Sequence, residues 1–467
     1  MKEYIVPQKL IASNGALCEN LLKKQTLQIG TGEKYTTVFN EGEFVILDFG
    51  KEMCGGIRIL AFRADKTKVR LRFGESLTEC CSELGGEKNA TNDHSLRDFC
   101  VELQNFSNMA FGNTGFRFLR IDFYQAAELK SVVAENHILQ KTVKYCYLGK
   151  DEQIRKIYET AKRTVDLCAS SGMVWDGIKR DRLVWIGDVH PEMLALTTLY
   201  EGVPAIERSL EFVKKQTPLP EWMNWYPMYS MWWIIIVADY LERTGAACFA
   251  SRQIEYVSGL MDLMLQYVST DGEMSYPLNF VDWPTSGQPD ELHGVRAINI
   301  IATKKAIGLL KRFGKKYENA EELLGRLMKK EMKVEKSKSV LGLKYFAVGL
   351  DEEDKEKLVK GGAQGMTTFM SYYILTAVAS FDKQKAVEMM KEYYGGMLNK
   401  GATTFWEDFD LSWTENSCRI DEFPTEGQKD IHGDFGAYCY QGFRHSLCHG
   451  WSAGVIAFIK EQESTMV

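Results

Sequence analysis

Residues 151–171, DEQIRKIYETAKRTVDLCASS, are where the chain changes texture. Ile154, Ile157, Tyr158, Ala161, Val165 and Cys168 fall three and four apart there, one apolar stripe of an amphipathic helix. Upstream, from Phe44 to about Gln125, FVILDFG, GGIRILAF, KVRLRFGES and FRFLRIDFY are short β-branched and aromatic runs. Several alternate in period two, and Gly, Asp, Asn and Lys clusters separate them, which predicts an antiparallel β-sandwich. Downstream, helical patterns are predicted at 191–200, 204–216, 229–244, 251–268, 292–313, 320–332, 354–359, 367–381, 384–394 and 445–460. No strand pair of comparable strength interrupts them. The fold class expected is therefore multidomain β plus α, a β unit over 1–145 followed by an all-α unit over 146–467. A chain of 467 residues has room for two or three such units.

Composition narrows the function classes. Hydrophobic content of 45% beside 26% charged residues is ordinary for a globular protein and argues against disorder. A net charge of −6, with acids and bases well mixed, gives no broad basic face for nucleic acid or an anionic membrane. The apolar run MWWIIIVA is too short to span a bilayer, and the N-terminal MKEYIVPQKLIASNG lacks a signal-peptide core. A cytoplasmic location is expected. Eleven cysteines form an odd, irregular set without CxxC, so free thiols are expected rather than disulfides. Seven scattered histidines show no HExxH or similar spacing, and there is no EF-hand or phosphate-binding glycine loop. Neither a metal nor another cofactor is expected.

The chemistry concentrates in loops. Trp175–His190, WDGIKRDRLVWIGDVH, sets Asp176, Asp181 and Asp188 among Lys179, Arg180, Arg182, Trp175 and Trp185. Carboxyl groups in such unlike surroundings have their pKa values pushed apart, the condition for one acid and one base at a single pH. A charged inter-helix loop that merely pairs and caps is the plainer reading, and the Trp and Gly density weighs against it. Four further stretches carry aromatic and acidic residues: EWMNWYPMY with Trp225, NFVDWPTSGQPDE with Asp282 and Trp283, ATTFWEDFD with Trp406 and Glu407, and CHGWS with His449 and Trp451. Aromatic walls with a few carboxylates suit a sugar pocket. Each has an alternative: Trp225 plugs a helix-bundle mouth, Asp282 caps a turn, and His449 is a hydrogen-bonded core histidine.

The string DGIKRDRLVWIGD resembles the acidic motif of bacterial α-L-rhamnosidases, glycoside hydrolase family 78, and GATTFWED and SLCHGWSAG resemble two further segments of that family. In the β unit, Asp48–Gly50, Gly55–Arg58 and Gly112–Ile121 resemble the family's accessory β-domain. The resemblance covers nearly the whole chain and implies that the helices form an (α/α)6 barrel. It implies inverting hydrolysis of terminal α-L-rhamnose, with Asp181 as general acid and Glu407 as general base. Asp176, Arg180, Trp185, Asp188, His449 and Trp451 are implied to contact the sugar, as are Asp282 and Trp283 through the family's "DW" loop, with Trp225 and Trp406 as further wall residues. The family's acid is usually Glu, and Asp at 181 withdraws the carboxyl by about 1.5 Å, one carbon–carbon bond. A small glycoside or oligosaccharide is the partner expected. Alternatives are a related glycosidase for another terminal sugar, or a carbohydrate-binding member that turns over weakly. The family commonly carries a further β-sandwich after the barrel, and none is expected here, which leaves room for a second subunit in a homo-oligomer.

Overall fold

The computed structural model describes residues 2–138 and 141–465. Its first part holds β1 (Lys2–Ile5), β2 (Lys9–Ser13), β3 (Thr37–Phe39), β4 (Phe44–Arg63), β5 (Thr67–Gly74), β6 (Asp98–Leu103), β7 (Ser107–Phe123) and β8 (Ala127–His137). All pairings are antiparallel, in the order β1-β8-β4-β7-β5-β6, with β2 also on β4 and β3 on β8. FVILDFG and GGIRILAF, separate runs in the sequence, are one 20-residue strand, β4. Its register against β7 slips between Asp48 and Met53, so its first half meets β2 and its second half meets β8. Such an irregularity bends a strand. The expected sandwich is thus a single hydrogen-bonded eight-stranded sheet, in whose main core Phe116 meets Phe49 and Phe73 edge to face. A short helix, α1 (Leu77–Cys81), follows β5 and is capped by Ser76, and its Leu77 and Cys80 join Ile46 and Phe118 in a smaller apolar cluster.

A two-stranded link, β9 (Thr142–Val143) with β10 (Tyr200–Glu201), marks the passage to the helical part. There α2 (Glu152–Cys168) begins where Asp151 accepts the N–H groups of Gln153 and Ile154, and its six-residue apolar stripe is buried. The remaining helices are α3 (Ile186–Leu199), α4 (Pro204–Gln216), α5 (Pro227–Thr244), α6 (Ala247–Ser251), α7 (Ile254–Leu265), α8 (Glu291–Arg312), α9 (Glu318–Leu327), α10 (Lys338–Val348), α11 (Glu352–Val359), α12 (Ser371–Ala379), α13 (Lys383–Asn399) and α14 (Val455–Glu461). α3 packs on α5, α5 on α8, α8 on α10, α10 on α12, α12 on α14, and α14 back on α3. The others lie against this closed series, α2 on α3 and α14, α4 on α3, α6 on α5, α7 and α9 on α8, α11 on α10 and α13 on α12. Among the described residues no helix is long and apolar enough to cross a membrane.

Three helical expectations change. α3 starts at Ile186 rather than at residue 191, with Pro191 inside it and Asp188 in its first turn. The 251–268 pattern shortens to α7, and a separate short helix, α6, ends at its first residue. Residues 445–449 are not helical: His449 is extended, and only a 3-10 turn (Gly450–Gly454) and α14 follow. Tertiary pairing overrides the pattern there, because Glu407 donates its N–H to the Ser446 carbonyl at 2.9 Å and His449 donates to Phe405 at 3.0 Å.

Candidate active site

The connection from α2 to α3 is a closed loop. Asp176 accepts the Leu183 N–H at 2.8 Å through Oδ1 and donates its own N–H to the Leu183 carbonyl at 3.1 Å. Gly177 pairs with His449, and Gly450 donates to the Asp176 carbonyl at 2.6 Å, stitching this loop to the last helical turns. Asp181 and Arg182 both have left-handed backbones, φ 55 and 56. Such a conformation costs a non-glycine residue about 1–2 kcal/mol. Arg182 is held in it by two hydrogen bonds to Asn113 and by its place 4.7 Å above the Trp175 ring. The turn presents Asp181 to a cavity of about 310 Å³.

At that cavity Arg180 bridges two carboxylates. Its Nη1 donates to Asp181 Oδ1 at 3.0 Å, and its Nη2 to Glu407 Oε1 at 2.5 Å. The other oxygen of Asp181 accepts the Trp185 indole N–H at 3.1 Å, and that of Glu407 accepts the Ser446 N–H at 2.9 Å. Burial works against the Arg180 charge, but Glu407 and Asp181 outweigh it and raise its pKa. Asp176 and Asp188 lie deeper, and burial, then the neighbouring carboxylates, pushes both well above the usual range. Asp188 Oδ1 has no hydrogen-bond partner among the described residues. His449 Nε2 stands 3.8 Å from both Asp176 and Glu407. Burial, followed by Arg180, depresses its pKa to about 3, so the imidazole is neutral at ordinary pH. Carboxyl groups pushed toward the protonated form beside a neutral imidazole offer both donors and acceptors, as recognition of hydroxyl groups requires.

Nine of the twelve residues singled out in the sequence line this cavity: Asp176, Arg180, Asp181, Trp185, Asp188, Trp283, Glu407, His449 and Trp451. Trp225, Asp282 and Trp406 do not. Trp225 is 77% exposed and touches Trp185 by a ring edge. Asp282 caps the turn after it through Thr285 and accepts from the Ser339 and Thr367 hydroxyls, so both its oxygens are engaged. Trp406 is wholly buried against Phe409 and His445. The remaining wall is Tyr226, Tyr229, Phe280, Cys439, Arg444 and His94. Tyr226, Tyr229 and Phe280 sit in stretches whose aromatic density was visible. His94 comes from the β-sheet part, with Nε2 3.5 Å from Asp181, and a lone histidine in the polar run TNDHS gives no signal.

Among the described residues two groups bring potential cation ligands within 4.8 Å of one another: Asp176 with Asp188 and His449, and Glu75 with Glu79 and His432. In the second the Lys179 ammonium already stands 3.0 Å from Glu75 and 3.2 Å from Glu79. In the first the Arg180 cation is close enough to act on Asp176 and His449, and the set suits hydroxyl groups better than an ion.

This structure is similar to a rhamnosidase from Klebsiella oxytoca with rhamnose bound, at TM-score 0.76 and 18% identity, over 99% of this chain and 96% of that one. It is also similar to a GH78 family rhamnosidase of Bacillus sp. GL1 (TM-score 0.68, 17% identity, 95% of this chain and 48% of that one). A Streptomyces avermitilis α-L-rhamnosidase complexed with L-rhamnose aligns at TM-score 0.64 and 14% identity, over 89% and 42%. The chain spans about half or less of the last two proteins. At these identities the likeness defines the fold, which is that of the GH78 α-L-rhamnosidases. No family model matches the sequence, and no curated protein does.

Proposed function

We propose that this protein is a glycoside hydrolase that releases terminal α-L-rhamnose with inversion from a small glycoside or oligosaccharide. The observation that carries the reading is the Arg180 bridge, which gathers Asp181 and Glu407 at one cavity. Its volume is at the lower end of the roughly 300–1,000 Å³ typical of ligand pockets, suited to one sugar ring. Inversion needs an acid at the leaving oxygen and a base for water on the opposite face, about 6.5–9.5 Å apart. Asp181 gives its proton to the leaving oxygen, and Glu407 takes one from the water. The left-handed turn at Asp181 and Arg182 supports a loop that carries the shorter acid inward. Asp176, Asp188 and His449 hold the sugar hydroxyls, and Trp185, Trp283 and Trp451 supply apolar faces for the ring.

The closed series α3-α5-α8-α10-α12-α14 supports an inner circle of an (α/α)6 barrel within 146–467, with 1–145 as the accessory β unit. Exposed thiols at Cys100, Cys146, Cys248 and Cys439 suit a reducing cytoplasm.

Hydrolysis of an aryl α-L-rhamnopyranoside, followed by proton NMR, tests the reading. β-L-Rhamnose should appear first. The α-anomer appearing first would remove the acid and base roles assigned here. Cleavage of another glycoside alone would change the sugar, and rhamnose binding without turnover would leave a carbohydrate-binding protein.

A further inference from the structure

We infer that Glu75, a residue of the β-sheet part, positions Glu407; the inference rests on the reading of Glu407 as the base. Glu75 follows β5 and is wholly buried. Its Oε2 accepts the Leu447 N–H at 2.6 Å and lies 3.0 Å from Lys179 Nζ, while its Oε1 accepts the Ser446 hydroxyl at 3.3 Å. Three donors from two distant segments thus converge on one carboxylate, whose two oxygens have room for them.

Both segments then reach Glu407. Ser446 is the residue whose N–H donates to Glu407 Oε2, and it accepts the Glu407 N–H in return. Lys179 precedes Arg180, whose guanidinium holds Glu407 Oε1. The Lys179 ammonium also donates to the Phe443 carbonyl at 2.8 Å and the His445 carbonyl at 2.5 Å, tying the two segments together. Each oxygen of Glu407 is therefore oriented by a donor on a segment that Glu75 grips from the far side. Glu75 itself is fixed by its N–H, which donates to Glu79 Oε2 at 2.7 Å. A misplacement of 1 Å at a reacting group costs about a hundredfold in rate, so this clamp bears on chemistry although it touches no substrate.

Glu75→Gln keeps the shape but turns one acceptor into a donor facing Leu447 or Ser446. The expected result is a folded protein with rhamnose affinity within about twofold of the parent and kcat on an aryl α-L-rhamnoside lower by about ten- to a hundredfold. Amide exchange at Ser446 and Leu447 should quicken about tenfold in the same variant. On a Glu407→Gln background, Glu75→Gln should lower the rate no further, because residues acting through one group are not additive. An unchanged kcat with unchanged exchange, or a loss that adds fully to that of Glu407→Gln, overturns the inference. If the parent cleaves no rhamnoside, the functional reading fails and the exchange result alone decides whether Glu75 clamps the segment. Should Glu75→Gln not fold, Glu75→Asp, which keeps the charge opposite Lys179 but draws back from Leu447, is read by the same measurements.

Discussion

Glu192 holds both carboxylate oxygens inside the protein with no hydrogen-bond partner among the described residues. Burial, then Asp188 and Asp176, pushes its pKa well above the usual range. Below about pH 4.3, the ordinary value, folded and unfolded chains both carry the proton and glutamine would serve equally well. As pH rises from there toward the native value, the unfolded chain releases a proton that the native state keeps, and stability falls. Glu192→Gln should therefore raise Tm by an amount that grows between pH 4.5 and pH 8; a gain equal at both values would refute the assignment. His449 has the opposite sign, its depressed pKa removing stability as pH falls from about 6.5 toward 3. At this scale the sequence was legible where unlike residues stood side by side, as at Asp176, Arg180, Asp181 and Trp185. It was silent where folding alone brings a residue in, as for His94 and Arg444. Asp282 shows the ambiguity between: an acid before Trp-Pro reads equally as ligand or cap, and here it caps.

Elements were legible in proportion to their contrast with solvent. The stripe of α2 stood out because its other face is polar. α10 was not anticipated, because a helix between α8 and α12 needs no polar face, and even its Lys338 and Lys344 are buried. β4 read as two strands because glycines interrupt its pattern. Likewise CHGWS read as helix, although His449 is extended and the chain then tightens into the Gly450–Gly454 turn. That turn depends on space: a Cβ on Gly450 would lie 1.5 Å from Glu192 Oε1 and 2.3 Å from its Cδ. Gly450→Ala should lower stability by about 1–3 kcal/mol, as overpacking does, and should displace His449 and Trp451, with loss of the proposed rhamnoside hydrolysis. Adding Glu192→Ala removes the clashing group, so the double variant should melt above the single one. A double variant no more stable than Gly450→Ala would show that the contact with Glu192 is not what requires glycine.

Across the molecule, the boundary in the sequence between strand and helix texture is not a boundary in the packing. Buried Arg117 of β7 grips Asp48 of β4 through two 2.9 Å hydrogen bonds and also donates to the Gly401 carbonyl and Asp421, both at 3.3 Å. Lys179 reaches into the sheet part to meet Glu75 and Glu79, and the Ser76 hydroxyl lies 2.7 Å from His432. Gly115 sits so close to the helical part that a Cβ there would be 2.7 Å from the Ile178 side chain. Domains joined by ordinary polar interfaces move and unfold separately, and a chain of this length would by default show two transitions. Here separation would leave several buried charges unpaired, and breaking even one such pair costs about 3–5 kcal/mol. Calorimetry should therefore show one transition, with a calorimetric enthalpy close to the van't Hoff value. Arg117→Met should lower that single transition for both parts together, followed by circular dichroism at wavelengths reporting strand and helix. Two resolved transitions in the parent, or a variant in which only the strand signal melts early, would mean that the seam does not couple the parts. Coupling of this kind is also what Glu75 requires, since a sheet that parted from the helices below the melting temperature could not hold the segment that orients Glu407.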